Sequence, residues 1–324
     1  MGEHSTKLTL WGVEVFVAIA EEGSISGAAR RVSASPSAVS QQLTNLEAAL
    51  GIALVDRAAR PLRLTPAGAT FRRRAATILH EAALAQAEIS AQDLTRLSSC
   101  RLGMIEDFDA DVTPRLLSEM GGDLSGCQFL LETGASHHLY EQLGARELDV
   151  IVAADIGQSA PWMEVYPLLA EPFVLVLPLG TPAPRGGIGD LAGLPYIQYT
   201  QRHYMGRVIA AHLTSENLRP QARFELDSYH AIMAMVAQGV GWTIATPLGV
   251  LRAGRFVDEV TMVPLPMAPL RRSISLVARQ DLLGAMPRQT ASRLRPIVEE
   301  LIVGPALARY PWLATQLVLR NGQS

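Results

Sequence analysis

Ser35-Pro-Ser-Ala-Val-Ser-Gln-Gln-Leu-Thr-Asn-Leu-Glu-Ala-Ala-Leu50 is the stretch that decides the fold of this chain. Val39, Leu43, Leu46 and Leu50 recur at spacings of four, three and four, which lines one side of a helix with an apolar stripe. Ser37, Gln41 and Thr44 fall opposite that stripe, with Ser40 on the flank. Ser35 followed by Pro36 supplies an N-cap and a proline at the first helical position, where its missing N–H costs nothing. Such a helix buries aliphatics and presents uncharged hydroxyls and amides, groups that meet base edges and phosphates in a DNA major groove. Taken alone, the pattern fits an ordinary surface helix equally well.

Its surroundings favour the DNA reading. Upstream, Leu10, Val13, Phe16, Val17 and Ala20 form an amphipathic stripe that ends near Gly23. Ile25, Ala28, Ala29 and Val32 then make one side of a short second helix, giving a helix-turn-helix pattern. Downstream, Gly51 stops the long helix. Residues 52–57 read as a strand, and Arg57, Arg60 and Arg63 follow with Pro61 among them, as on a two-stranded wing. Thr65-Pro66-Ala67-Gly68 opens another helix. Residues 23 to 74 hold eight arginines, Arg31 included, against Glu47 and Asp56. The whole chain carries a net charge of −3, so the basic residues are concentrated here, the electrostatic footprint of a nucleic-acid contact.

With Phe16-Val17-Ala18, Gly23-Ser24-Ile25, Ala28-Ala29, Val32, Ser35, Ala38-Val39-Ser40-Gln41-Gln42-Leu43, Leu46-Glu47, Leu50-Gly51, Leu54-Val55-Asp56-Arg57 and Leu64-Thr65-Pro66-Ala67-Gly68 in place, the first seventy residues resemble the N-terminal domain of LysR-type transcriptional regulators. Two positions depart from that pattern. Pro36 stands where a polar side chain aimed at DNA is common, which moves base reading onto Ser37, Ser40, Gln41 and Thr44, with Ser35 and Pro36 at the helix start. Val55 replaces the usual Phe. The resemblance implies a winged helix-turn-helix domain over 1–67, a linker helix over 68–97 and an effector-binding domain over 98–324. It also implies partners: double-stranded DNA, a small-molecule effector and RNA polymerase.

Length and composition agree. At 324 residues there is room for two or three domains, and 48% hydrophobic with 18% charged residues is a globular balance. No run approaches the ~20 apolar residues of a membrane span. The polar start, 1–7, argues against a secretory signal. Cys100 and Cys127 make neither a metal spacing nor a disulfide framework, which suits a reducing cytoplasm. No cofactor and no metal are expected.

Phe71, Ala75, Ile78, Ala82, Ala85 and Ile89 follow a heptad rhythm rich in alanine. A helix packed on its own domain is one reading. The resemblance implies antiparallel pairing with a second subunit, hence a homodimer or homotetramer on an interrupted inverted repeat.

From Ser98 onward short apolar runs alternate with helical periods. Strands are expected over 101–105, 128–132, 149–154, 173–177, 196–199, 242–245 and 274–278, with helices over 112–120 and 136–146. The alternation predicts a parallel-rich α/β sheet. The resemblance implies two α/β lobes like a periplasmic binding protein, lobe I over about 98–172 and 276–303 and lobe II over about 173–275. Strands near 173–177 and 274–278 would cross between them. Residues 304–324 extend beyond the usual end of the family, and packing against a subunit neighbour is the simplest use for them.

Strand-end loops place Glu106, Asp107, Ala153, Gln201, Arg202, His203, Asp227 and Thr246 around the effector cleft. The loop Glu106-Asp107-Phe108-Asp109-Ala110-Asp111 carries four carboxylates, which would repel an anion. An effector with an amine or many hydroxyls follows, held by Glu106 or Asp107, with Arg202 or His203 for any acid group. The alternative is that these acids are solvated at a helix N-terminus. His137 and His138 read as solvated residues, the glycines at 186, 187 and 189 as a turn, and no catalytic constellation is present, so the chain reads as no enzyme. Two other classes remain open: a binding protein or enzyme of periplasmic-binding-protein fold with an appended helical domain, and a DNA-architectural protein. The first lacks a signal or catalytic set, and the second needs no two-lobed domain. A ligand-responsive transcription regulator fits best.

Overall fold

The computed structural model describes residues 7–89, 99–123, 126–157, 160–280 and 282–320. The chain divides into two compact units, Met1–Asp93 and Leu94–Ser324.

In the first unit α1 (Leu10–Glu22), α2 (Ile25–Arg31) and α3 (Pro36–Leu50) are followed by β1 (Val55–Asp56), β2 (Arg63–Leu64) and α4 (Pro66–Ile89). Each helix start is explained by a hydroxyl. Thr9 accepts from Gly12 N, Ser24 from Gly27 N and Ser35 from Ala38 N, which satisfies N–H groups the helix leaves open. Gly23 and Gly51 end α1 and α3 at φ 61° and 69°, the left-handed region that favours glycine. Val13, Phe16, Ile19, Ala28, Ala29, Val39, Leu43 and Leu46 close a common core, each nearly or wholly withdrawn from water. Leu50, expected on the buried stripe, is 37% exposed because it lies at the last turn, beyond the core.

One expectation for α4 changes. Ala75 is fully buried in the core of its own unit, and the Phe71 ring packs 5.3 Å from the Phe16 ring. Ala75 is therefore consumed inside the unit and is not free for a subunit seam, whereas Phe71 packs against that core and stays half-buried. Ile78 and Ala82 are half-buried, and Arg72, Arg73 and Arg74 are exposed. The side chain of Ile89 lies outside those described. The strand expected over 52–57 shortens to two residues, paired antiparallel with β2 as Val55 with Leu64 and Asp56 with Arg63.

The second unit has two lobes. Lobe I is a six-stranded sheet built from β3 (Ser99–Ile105), β4 (Gln128–Gly134), β5 (Val150–Ala154), β6 (Met163–Pro172), β12 (Arg271–Arg279) and β13 (Val318–Leu319) in the order β13-β6-β12-β5-β3-β4. Against it pack α5 (Val112–Asp123), α6 (Ser136–Gly144) and α10 (Met286–Val298). Lobe II holds β7 (Val174–Pro178), β10 (Thr243–Ala245) and β11 (Val260–Pro264) in one antiparallel sheet, and β8 (Tyr196–Tyr199) beside β9 (Ala222–Leu226) in a parallel pair. Its helices are α7 (Tyr204–Ser215), α8 (Tyr229–Ala237) and α9 (Pro247–Arg252).

Strand direction corrects the parallel-rich expectation. In the large sheet β3 is parallel to β4 and β5, while β12 is antiparallel to both β5 and β6, and β13 to β6. The strand β6 was not foreseen, because its charged and proline positions, Glu164, Pro167 and Glu171, interrupt the apolar run. The crossings between lobes also shift. One passes at Phe173, between β6 and β7. The other lies between β11 and β12, because β12 already belongs to lobe I from Arg271 onward. The two crossings touch where Phe173 N donates to Leu270 O at 2.8 Å.

Residues beyond 303 have a use within the chain. After α11 (Gly304–Arg309) comes a short 3-10 turn, then β13, which covers the open edge of β6. Leu313 and Leu317 are buried, and the Arg309 guanidinium reaches Asp258 Oδ1 at 2.5 Å and Val257 O at 3.2 Å in lobe II. The segment thus fastens onto both lobes of its own unit, so a subunit neighbour is not needed to account for it.

Candidate DNA-reading face and effector cleft

The polar side of α3 is laid out as its spacing requires. Ser35, Pro36, Ser37, Gln41 and Thr44 are exposed and Ser40 is half-buried, while the aliphatics of the opposite side fill the core. The exposed groups are satisfied locally: Ser35 Oγ lies 3.0 Å from Ser37 Oγ, Gln41 Nε2 donates to Asn45 Oδ1 at 2.9 Å, and Thr44 Oγ1 donates to Ser40 O at 3.0 Å. Solvent-exposed bonds of this kind are worth about 1 kcal/mol and exchange readily for bonds to bases.

The arginines behave less uniformly than their clustering suggests. Arg31 is tied to Glu21 at 2.5 Å and to Glu22 at 3.6 Å. Arg57 folds back onto α3, donating to Thr44 Oγ1 at 3.0 Å and Glu47 Oε2 at 2.8 Å. Arg60 Nη1 holds the carbonyls of Arg57 and Ala59, closing the wing loop. These three arginines brace the fold. Arg63 on β2 is exposed, and among the described residues its side chain makes no hydrogen bond or ion pair. Glu47 is the residue that sequence reasoning missed. It is 13% exposed at its side chain, and its Oε1 accepts from Leu54 N at 2.8 Å and Val55 N at 3.2 Å. It therefore fixes the wing to the reading helix. One of only two acids in a basic patch, it carried that much signal in the sequence.

The second unit has a cavity of about 320 Å³ between its lobes. Its lobe I wall lies at the carboxyl ends of β3, β4 and β5, where Glu106, Asp107, Ser136, His137 and Asp155 gather. Lobe II contributes Tyr199, His203, Tyr204, Met205 and Tyr229, and the crossings contribute Phe173, Arg271 and Arg272. Of the residues expected there, Glu106, Asp107 and His203 line the cavity. Ala153, Gln201, Arg202 and Asp227 do not, and Ala154 takes the place of its neighbour because alternate residues of β5 face opposite sides. Thr246 is fully buried behind the lining, where it accepts from Arg272 Nη2 at 3.2 Å.

Three of the four acids of the loop are ion-paired, and of these Asp107 is buried while Glu106 stays half-exposed; Asp111 is exposed. Arg272 donates from Nε to Glu171 Oε1 at 2.7 Å and from Nη2 to Asp107 Oδ2 at 2.8 Å. Arg252 donates to Glu106 Oε2 at 3.1 Å and Asp109 Oδ2 at 2.9 Å, joining the lobes by an ion pair. Glu171 is completely buried and also accepts from Leu248 N at 3.2 Å. Burial pushes its carboxyl above the ordinary range, against the pull of Arg272, and Asp107 adds to the rise. Glu171, Arg272, Tyr199, Tyr229 and Phe173 escaped sequence reasoning, since they stand at a crossing and at helix and strand ends that no local pattern marks. His137, expected to be solvated, lines the cleft. Its imidazole is held below the usual range by burial, then by His138 and His203, whose rings stand 4.1 Å and 5.8 Å away.

A winged helix-turn-helix unit together in one chain with a two-lobed unit that encloses a cleft defines a DNA-binding regulator that carries an effector-binding domain. Residues 10–69 match the family model for the bacterial regulatory helix-turn-helix protein of the lysR family, and residues 96–295 match the LysR substrate binding domain. The chain belongs to the LysR family of DNA-binding transcriptional regulators. It is 27% identical over 270 residues to the hydrogen peroxide-inducible genes activator of Pectobacterium carotovorum subsp. carotovorum, covering 82% of this chain and 89% of that one. A mutant OxyR of Corynebacterium glutamicum shares the fold at a TM-score of 0.64 and 23% identity, covering 94% and 96% of the two chains. The full-length CbnR complexed with its target DNA does so at 0.57 and 19% identity, covering 89% and 100%.

Proposed function

We propose that the chain works as a homodimer or homotetramer in the cytoplasm, reading an interrupted inverted repeat of double-stranded DNA and communicating with RNA polymerase. The winged unit, residues 1–67, reads DNA. The helix over 68–97 carries the pairing surface, with Ile78 and Ala82 as its available positions. Residues 98–324 respond to an effector in the cleft. The observation that carries this reading is the uncharged, exposed row Ser37-Gln41-Thr44, held at a fixed angle to the wing by Glu47. Binding equilibria, not catalysis, do the work: an effector that prefers one arrangement of the lobes shifts the population of DNA-competent states.

Footprinting and salt titration test the reading. Gln41→Ala is expected to cost about 1–3 kcal/mol at one base position and to relax selectivity there. Arg63→Ala is expected to weaken binding equally across sequences and to lower the slope of log K against log salt by about one. Equal, undiminished protection by both variants rejects the assignment.

The name of the Pectobacterium relative raises a second reading, in which this chain too answers to peroxide. The chain has two cysteines, and neither lines the cleft. Cys100 is fully buried in β3, and burial, then Asp149, pushes its thiol well above the ordinary range. Cys127 is shifted the same way by burial. The reactive species is the thiolate, which both sites disfavour. Operator affinity measured before and after hydrogen peroxide treatment is expected to be unchanged; a shift abolished by Cys100→Ala or Cys127→Ala would establish peroxide response instead.

A further inference from the structure

We propose that the cleft takes a small organic amine, its ammonium on Asp107 and its apolar body against Tyr199, Tyr229 and Phe173. The proposal rests on the cleft being the effector site and adds the chemistry of the ligand. It begins with an imbalance. Asp107 and Glu171 share one guanidinium, that of Arg272, and Glu106 and Asp109 share another, that of Arg252. Four carboxylates thus face two cations where the lobes meet.

Asp107 is the point at which that excess is accessible. Its side chain is 5% exposed, its Oδ2 is taken by Arg272, and its Oδ1 is buried without a hydrogen-bond partner on the wall of the cavity. A buried acceptor left unpaired costs about 1–3 kcal/mol, more for a charged group, and a ligand that donates to it recovers that cost. An alcohol supplies the hydrogen bond alone. An ammonium supplies the bond and the missing positive charge, and charge-assisted bonds are the stronger kind.

The remaining walls suit the same group. Tyr199 and Tyr229 stand with ring centroids 5.2 Å apart, both nearly buried, and Phe173 is 3% exposed. Aromatic faces attract a cation and accommodate apolar carbon. His137, whose Nδ1 is also buried and unpartnered, is held neutral by its surroundings and so does not repel an ammonium. Arg271, the other guanidinium of the lining, is exposed at the rim, where solvent screens it. At about 320 Å³ the cavity lies at the small end of ligand pockets.

Thermal denaturation and calorimetry of the full chain with benzylamine, phenethylamine and cyclohexylamine, beside the matched alcohols and carboxylates, test the proposal. The amines alone are expected to raise Tm, and Asp107→Asn is expected to weaken them about tenfold or more. A ligand-free readout accompanies this. Asp107→Asn removes the uncompensated charge and is expected to raise the Tm of the unliganded chain, whereas an Asp107 that merely anchors Arg272 would lower it. A lowered Tm, or no response to any amine, overturns the proposal. Carboxylate binding that is lost in Tyr199→Leu overturns the amine chemistry and leaves the cleft standing as the effector site. Amine binding that survives both Asp107→Asn and Tyr199→Leu overturns the cleft reading itself.

Discussion

Alanine at Gly68 is expected to abolish operator binding and to destabilise the DNA-binding unit by about 3 kcal/mol. A Cβ there would stand 2.0 Å from the carbonyl oxygen of Leu54 and 2.9 Å from its carbon, which are backbone atoms that no side-chain rotation can move. That carbonyl accepts from Thr65 N at 3.0 Å, and Leu54 N is held by Glu47. Relief of the clash therefore separates α4 from the strand entering the wing and loosens the bond that orients the wing against the reading helix. Ala69→Gly, one residue along on the exposed side of α4, is the comparison; it is expected to cost about 0.5–1 kcal/mol and to leave DNA binding intact. Denaturant melts and footprinting of both variants check this. A Gly68→Ala protein that binds its operator normally contradicts the close approach.

Arg272→Met is expected to be the most damaging single change in the effector unit. It strands Asp107 and the fully buried Glu171 without their shared cation, and breaking a buried pair from one side costs about 3–5 kcal/mol. The loss should depend on pH in a defined sense. In the folded chain Glu171 titrates above its ordinary range, owing to burial. A group raised on folding contributes stability that is fully present below its unfolded value, about 4.3 for a glutamate, and that is lost as pH rises through the folded value. Without Arg272 the carboxyls have still more reason to keep their protons. The deficit of the variant is therefore largest near neutrality and shrinks as the solution is acidified. Unfolding free energies across a pH series measure it, and a deficit that does not change with pH refutes the charged triad.

What the residues disclosed in advance tracks the range of the forces involved. Helix starts and stops were legible because a serine or threonine caps an N–H three residues away and a glycine ends the helix it follows. The exposed polar face of α3 was legible for the same reason, since it is one period of one helix. The cleft was legible only as a location. Its chemistry depends on pairings such as Arg272 with Asp107, 165 residues apart, and Arg252 with Glu106, 146 apart. No local pattern records which acid an arginine will meet across such distances. The wing arginines show the same limit at shorter range. Composition supplied the positive charge, but only the fold reveals that Arg31 and Arg57 face glutamates while Arg63 faces solvent. The rhythm along α4 misplaced Ala75, because a heptad pattern does not say whose core it serves, and Ala75 serves its own.

The strand β13 has a consequence for how copies of this chain can meet. The six-stranded sheet ends in two unlike edges. At one end β13 pairs with β6 over two residues only, Val318 with Ala170 and Leu319 with Leu169, and so short an outer strand is a poor template for a further strand. At the other end β4 runs seven residues and leaves Leu130 57% and Leu131 37% exposed. Strand addition to this sheet is therefore favoured on the β4 side.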